Sequence, residues 1–344
     1  MDRPQRVIVL YNTDYDAEYQ VGAAGVDASS VELSARAVCG ALEGAGYAVE
    51  LVGLHGLEVF EILAGLRARK PDLVFNLCES MAGEPRNEPT FVGLLDLFGI
   101  PYTGADLLAL ASCLYKQRTK EILTARGIPT PPYRYLPDLA SLEDRALEAL
   151  DYPWFVKLAH EDASIGITEH NLVRSAVALR ARAAEMMREH RQSVLAERFI
   201  DGREVNVTLL GNGADLRILP LHEIDFAAMP AERPKIVSYA GKWDESHVDY
   251  AGTKPVPLRD APPSLVTAIE ATARGAWAAL GLRDYGRVDL RIDAAGVPWV
   301  IDVNPNCDIS PDAGVARAAT AAGLSYIELI DSIAQVAWRR LRPA

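Results

Sequence analysis

The sequence predicts a multidomain protein, α/β at its start and α+β beyond. Its 344 residues exceed what one compact core holds, so two or three domains are expected. Strands alternate with helices up to about residue 115, which implies βαβ units and a parallel sheet. The grammar then changes after Gly127, Pro129, Pro131 and Pro132, where a glycine followed by prolines marks a helix stop and a domain boundary.

In the first segment, residues 6–11 read as a strand, 30–44 as a helix, 47–53 as a strand, 58–68 as a helix and 73–76 as a strand. A helix over 90–98 ends at Gly99 before the strand-like 100–103, and one unbroken helix is expected from 106 to 125. Beyond Tyr133, strands at 154–158 and 166–171 flank a small loop, an alanine-rich helix covers 175–191, and a strand follows at 194–199. This unit of about 80 residues is too small for a large core of its own and is expected to move relative to its neighbours. After Asp201-Gly202 strands predominate, at 204–210 and 215–223, and Gly211-Asn212-Gly213 between them reads as a hairpin turn. An irregular stretch over 226–257 precedes a helix at 263–280, two further strands and a last helix at 325–340. The expected domains are therefore 1–115, 116–200 and 201–344.

Composition narrows the function. Hydrophobic residues make up 49% and charged ones 24%, as in a folded globular protein rather than a disordered or fibrous one. A net charge of −12 argues against nucleic acid or a membrane surface as partner, since both are polyanions. No apolar run reaches the roughly 18 residues of a membrane span, and no signal peptide is read at the N-terminus, so a cytoplasmic protein is expected. Cys39, Cys78, Cys113 and Cys307 form no C-x-x-C pair, and the six histidines show no ligand spacing. Neither a disulfide framework nor structural zinc is expected.

Chemistry concentrates near the C-terminus, in Arg287-Val288-Asp289-Leu290-Arg291-Ile292-Asp293 and Trp299-Val300-Ile301-Asp302-Val303-Asn304-Pro305-Asn306. A strand's period of two puts Arg287 and Asp289 on one face, and likewise Asp302 and Asn304. Pairing across the Ala294-Ala295-Gly296 turn would bring two carboxylates, a carboxamide and a guanidinium to one spot. Such hard oxygen ligands suit Mg²⁺ held together with substrate phosphates, and the arginine suits a developing oxyanion. A solvated strand face carries the same alternation, so the assignment depends on its company.

That company lies upstream. Neither a P-loop nor G-x-G-x-x-G occurs, so phosphate binding must be built otherwise. The candidates are Lys116, Lys157 and the loop His160-Glu161-Asp162-Ala163-Ser164-Ile165-Gly166, whose small residues let backbone N–H groups approach phosphate oxygens. Lys157, between Val156 and Leu158, lies either on a wet strand face or paired, because burying its charge alone costs several kcal/mol. Glu197 and Glu204, flanking the Asp-Gly turn, either bind the adenine edge and the ribose hydroxyls or are solvated at the surface.

In their order and spacing Lys116, Lys157, the Ser164 loop, Glu197, Glu204, Lys242, Arg287-x-Asp289 and Asp302-x-Asn304 resemble the ATP-grasp superfamily, and the chain is most similar to D-alanine–D-alanine ligases. The resemblance runs over nearly the whole chain, including residues 94–104 (Leu-Leu-Asp-Leu-Phe-Gly-Ile-Pro-Tyr-Thr-Gly) and 279–289 (Ala-Leu-Gly-Leu-Arg-Asp-Tyr-Gly-Arg-Val-Asp). It implies an ATP-grasp fold: an N-terminal Rossmann-like parallel-sheet domain, a small central ATP-lid domain and a C-terminal, mainly antiparallel sheet domain. It also implies roles. Lys116 and Lys157 would hold the α- and β-phosphates of ATP, Glu197 would sit near the adenine and Glu204 at the ribose. Asp289, Asp302 and Asn304 would bind two Mg²⁺ ions, with Mn²⁺ as a substitute. Lys242 would reach the γ-phosphate from a closing loop, Arg287 would stabilise the tetrahedral intermediate, and Ser164 would bracket the first substrate. The implied reaction transfers the γ-phosphoryl group to a carboxylate, and an amine then attacks the acyl phosphate. A homodimer is implied as well.

The departures from the family bear on the substrate. The glutamate that D-alanine–D-alanine ligases carry in an N-terminal loop aligns with Ala28, in Val26-Asp27-Ala28-Ser29-Ser30, and their closing-loop tyrosine with Trp243. Their His-Gly-x-x-Gly-Glu-Asp-Gly segment is replaced by Asn76-Leu77-Cys78-Glu79-Ser80-Met81-Ala82-Gly83-Glu84-Pro85-Arg86-Asn87-Glu88, and the metal-bridging glutamate has become Asp302, one methylene shorter. Glu79, Arg86, Glu88, His222 and Ser310 are the candidate substrate contacts; Cys78 and Cys307 are read as packing residues. The expectation is an ATP-dependent carboxylate–amine ligase acting on amino acids or small peptides other than paired D-alanines. The alternatives are a D-alanine–D-alanine ligase of cell-wall synthesis, a kinase-like ATP-grasp phosphotransferase and a non-catalytic nucleotide-binding protein.

Overall fold

The computed structural model describes residues 3–13 and 28–342. Strands β1 (Arg6–Asn12), β2 (Ala48–Leu54) and β3 (Leu73–Asn76) form a parallel sheet in the order β2-β1-β3, with helices α1 (Ala28–Gly44) and α2 (Val59–Arg69) as its crossovers. The apolar run of β1 is continuous because both of its faces are covered: Val7 and Val9 lie in one buried cluster, Ile8 and Leu10 in another. Residues 100–103 contribute only a bridge between Tyr102 and Val74. Pro101 lacks the N–H that a longer ladder would need.

After α3 (Glu88–Leu97), the helix expected over 106–125 is broken. It is instead α4 (Leu107–Leu114) and α5 (Lys116–Ala125), with Tyr115 between them at φ −81°, ψ 85°. At the break the Lys116 N–H donates to the Ala159 carbonyl at 3.1 Å, a tertiary bond that outcompetes helix continuation. Lys116 thereby opens a new helix.

The central unit is an antiparallel sheet of β4 (Tyr133–Leu136), β5 (Trp154–Leu158), β6 (Leu172–Val173) and β7 (Val194–Arg198) in the order β4-β7-β5-β6, backed by α6 (Ala176–His190). The strand expected over 166–171 is not formed. Asn171, fully buried, donates through its side chain to the carbonyls of Val156 (2.6 Å) and Gly166 (3.1 Å) and accepts from the Thr168 N–H (2.9 Å), so local side-chain bonds replace a ladder.

The C-terminal sheet has six strands, β8 (Arg203–Leu210), β9 (Arg217–Ile218), β10 (His222–Asp225), β11 (Lys254–Pro257), β12 (Tyr285–Ile292) and β13 (Pro298–Asn304), in the order β11-β10-β8-β12-β13 with β9 beside β8. Residues 215–223 are two short strands rather than one because Pro220 has no N–H to donate. Within the irregular stretch, α7 (Tyr239–Trp243) and α8 (Val248–Ala251) precede the edge strand β11. Helix α9 (Pro263–Leu280) covers the sheet, sharing a core with Leu123 of α5. Helix α10 (Gly314–Ala321), unforeseen in the sequence, and α11 (Tyr326–Leu341) reach back to the N-terminal sheet, where Leu329, Ile330 and Ile333 pack with Val7 and Val9. Among the described residues no helix is long and apolar enough to cross a membrane.

Candidate active site

A cavity of about 1350 Å³ is lined by the central sheet, the C-terminal sheet and the loops after β3 and β13. Its floor is set by strand register. Arg287 faces Asn304, and Asp289 faces Asp302 on one side and Asn206 of β8 on the other. The period of two puts Arg287 with Asp289 and Asp302 with Asn304, as the sequence implies, and a one-residue register shift in β13 brings both pairs to the same sheet face. Asp289 takes a two-pronged bond from Arg287 (Nε–Oδ1 2.8 Å, Nη2–Oδ2 2.9 Å) and further bonds from Asn206 Nδ2 (2.7 Å) and Asn304 Nδ2 (3.2 Å). Burial works against the Arg287 charge, but Asp289 outweighs it and raises the guanidinium pKa. That group stays cationic at any working pH.

Lys116, at the start of α5, reaches Asp162 Oδ1 (2.6 Å) and Asp302 Oδ1 (3.1 Å). Burial pushes Asp302 up, yet the ammoniums of Lys116 and Lys157 prevail and hold it down at about 2. Lys157 is the paired strand lysine, not the solvated one: its Nζ donates to the Ile301 carbonyl (2.9 Å) and lies 3.0 Å from Glu197 Oε1. Ile301 falls at the register shift of β13, and that irregularity is what a two-residue period does not reveal. Glu197 lines the cavity, but both of its oxygens face lysines, Lys157 and the buried Lys120. Glu204 also lines the cavity, 3.4 Å from Arg291, whose guanidinium stacks on Phe199.

The 160–166 loop turns through positive φ at Ala163 (53°), Ser164 (62°) and Gly166 (71°), and its residues 160–165 line the cavity. It also docks the segment that carries Lys242. Ser164 Oγ donates to the Val237 carbonyl (3.1 Å), Trp243 Nε1 to the Ala163 carbonyl (3.1 Å), and the Tyr239 N–H to the Ile167 carbonyl (2.9 Å). Lys242 opens into the cavity beside its neighbour Trp243, with Nζ 4.8 Å from the ring centroid. Burial and the Arg287 charge both lower its pKa.

The remaining sequence candidates separate. Glu79 and Glu88 line the cavity. The Glu79 backbone N–H is held by the buried Asn12 (2.7 Å), and Asn306 Nδ2 ties Glu88 Oε1 (2.8 Å) to the Cys78 carbonyl (3.0 Å). Glu79 is open to cavity water but walled by protein farther out, and this partial desolvation, with Asp308 nearby, raises it to about 7. Arg86 also lines the cavity, paired with Glu84 at 2.8 Å, and Ser310 donates to Asp308 within its own turn. His222 is a correction: it is not among the lining residues, and its buried ring turns back on the Pro220 carbonyl at 3.0 Å. Of the N-terminal loop, Val26 and Asp27 lie outside the described residues. Sequence reading missed Lys120, Asp162, Asn206 and Asn306. Asp162 stood in a loop already singled out, and Asn206 lies two residues beyond Glu204 on the same strand face; nothing local marked Lys120.

Glu88 supports a prediction. Burial raises its pKa from the usual 4.5 to about 8, with the Asn306 bond pulling the other way. A carboxyl raised on folding adds stability that is complete below about 4.5 and lost as pH rises through 8. Glu88→Gln keeps the acceptor for Asn306 and removes the titration. Melting curves should therefore show the variant about 1–2 kcal/mol more stable than wild type at pH 9, with no such gain at pH 5. An equal difference at both pH values would contradict the assignment.

Comparison with known proteins fits this geometry. The family model described as D-ala D-ala ligase C-terminus matches residues 122–335. The D-alanine–D-alanine ligase of Bordetella pertussis is 34% identical over 287 residues, 82% of this chain and 84% of its own. That of Chromohalobacter salexigens is 35% identical over 78% of each chain, and an uncharacterised protein of Sinorhizobium fredii is 33% identical over 79% of this chain and 76% of its own. A crystal structure of the D-alanine–D-alanine ligase from Bacillus anthracis complexed with ATP superposes with a TM-score of 0.75 over 98% of both chains at 22% identity. Fold and site define an ATP-grasp enzyme, a ligase that forms carbon–nitrogen bonds. The three-part architecture expected from the sequence is thus borne out. The chain belongs to the D-alanine–D-alanine ligase family.

Proposed function

We propose that the protein is an ATP-dependent carboxylate–amine ligase whose substrates are amino acids or small peptides other than paired D-alanines, joined through an acyl phosphate. The observation that carries this reading is the register of β12 against β13, which faces Arg287–Asp289 with Asp302–Asn304 below the Lys116 and Lys157 ammoniums. Lys116, Lys157 and the 160–166 loop would hold the phosphates of ATP, and Glu204 the ribose; Glu197 would act through its lysines.

Among the described residues no three His, Cys, Asp or Glu side chains come together to hold an ion alone. Asp289, Asp302 and the Asn304 oxygen therefore suit Mg²⁺, or Mn²⁺, only in company with phosphate oxygens, which is how Mg²⁺ is usually held. Bound there, the ions would neutralise charge on the transferring phosphoryl group. The chain itself supplies the rest. Arg287 presents a permanent cation to a developing oxyanion, Lys242 reaches in from the docked segment, and the Trp243 and Ser164 contacts keep water from an intermediate that hydrolyses readily.

The substrate half supports a changed specificity. Glu79 and Glu88, whose carboxylates meet no cation within ion-pair distance among the described residues, would hold a substrate ammonium, with Arg86 and Ser310 nearer the mouth. Small-molecule substrates, a homodimer and a cytoplasmic location belong to this reading; nucleic acid and membrane do not. A second reading, D-alanine–D-alanine synthesis, is favoured by the names of the relatives. ADP release with Mg²⁺ and ATP across D- and L-amino acids, singly and in pairs, with mass spectrometry of products, decides between them. An amide from another pair, with D-alanine inert, is the expected result. D-alanyl-D-alanine would establish the second reading, and a phosphorylated acceptor without any amide would point to kinase-like transfer.

A further inference from the structure

Helix α5 buries two lysines one turn apart, Lys116 at 5% exposure and Lys120 at 2%. Like charges at this spacing repel, and each buried ammonium needs a partner. Lys116 finds its partners at the cavity. Lys120 is not among the residues lining the cavity, and its Nζ instead lies 2.7 Å from Glu197 Oε2 and donates to the Val300 carbonyl at 3.1 Å. The other Glu197 oxygen meets Lys157, which is anchored to the next carbonyl of β13, that of Ile301. One carboxylate is thus shared by two ammoniums, each tied to β13, and the trio carries two positive charges against one negative.

An ammonium has three N–H donors. Lys157 donates one to Ile301 and faces Glu197 Oε1 as an ion pair at 3.0 Å, which leaves donor capacity for the cavity that it lines. Were Lys120 absent, Glu197 Oε2 would be a buried anion with no cation but Lys157. The carboxylate would then close on Lys157 with both oxygens, and the pair would be neutral. Burial and Lys157 pull the Lys120 pKa down, to about 8, against the upward pull of Glu197, which accords with this crowding.

We propose that Lys120 is a positioning residue: by occupying one oxygen of Glu197 it keeps Lys157 correctly aimed and free to take a nucleotide phosphate. The inference rests on the reading that Lys157 contacts ATP. Its signature is non-additivity rather than simple loss. A general loss of positive charge, or of packing, would weaken ATP equally whatever stands at position 197. Capture of Lys157 requires the Glu197 carboxylate.

The test is a double-mutant cycle on the full chain, with the Kd for ATP in the presence of Mg²⁺ measured by calorimetry. Lys120→Met in the wild-type background should weaken ATP about tenfold, and in the Glu197→Gln background no more than about twofold. Turnover should show the same defect in KM for ATP with kcat changed less. Equal losses in both backgrounds, or an unchanged Kd, would overturn the proposal. Should Lys120→Met fail to fold, Lys120→Gln, neutral but still able to donate to Val300, is read by the same criteria. Wild-type protein that binds no ATP would instead remove the nucleotide reading and this inference with it.

Discussion

Asp302→Ala is expected to lower kcat by about a thousandfold or more while weakening ATP less than about tenfold. Asp302 faces Asp289 across the strand pair and is held fully ionised by Lys116 and Lys157, so on the proposed reading it would offer an anionic oxygen to a metal held with the transferring phosphoryl group. Its loss removes stabilisation that matters most as charge develops. The nucleotide contacts proposed for Lys116 and Lys157 should survive in the ground state, because Lys116 retains Asp162 at 2.6 Å and Lys157 retains Glu197 and Ile301. Steady-state kinetics beside calorimetry separates the two quantities. Product formation near the wild-type rate would remove Asp302 from the metal assignment.

The second large effect concerns stability. Asp284 is fully buried at φ 65°, and its carboxylate gathers Arg340 Nε and Nη2 (2.9 and 2.8 Å), Asn212 Nδ2 (2.9 Å) and the Gly104 N–H (2.9 Å). These partners come from α11, from the turn after β8 and from Gly104, two residues beyond the Tyr102 bridge to the N-terminal sheet. One carboxylate therefore fastens the N-terminal unit to the C-terminal one. Asp284→Ala leaves the Arg340 guanidinium without its counter-charge and should cost about 3–5 kcal/mol in urea unfolding, part of it recovered by Arg340→Met in the same chain. A loss under about 1 kcal/mol would mean that packing of α11, through Leu329, Ile330 and Ile333, holds the units together without the ion pair.

The floor of the site was legible because its determinants are local. Alternation put Arg287 beside Asp289 and Asp302 beside Asn304, each pair two apart on strands joined by a short turn, but only the register shift at Ile301 brings both pairs to one face. Lys116 and Lys157 were legible as candidates, but their partners were not. Tyr115 shows why: nothing in residues 106–125 forbids a continuous helix, and only the Ala159 carbonyl, 44 positions beyond the break, makes Lys116 begin a new one. His222 errs the other way: it does stand on a strand, β10, but its buried ring turns back on the Pro220 carbonyl instead of facing the cavity.

What the sequence by itself determined is therefore the order of elements, which residues share a face within each of the last two strands and the set of charged residues from which the site is drawn. Periodicity and turn chemistry act over a few residues and survive in the linear chain. Only the tertiary structure decided how those charges pair: Lys120 with Glu197, Glu197 with Lys157, Lys157 with a carbonyl at the β13 bulge, and Asp284 with Arg340. The reason is energetic. A buried charge is tolerable only beside its partner, and in these pairs the partner lies between 40 and 144 positions away, beyond the reach of any local pattern.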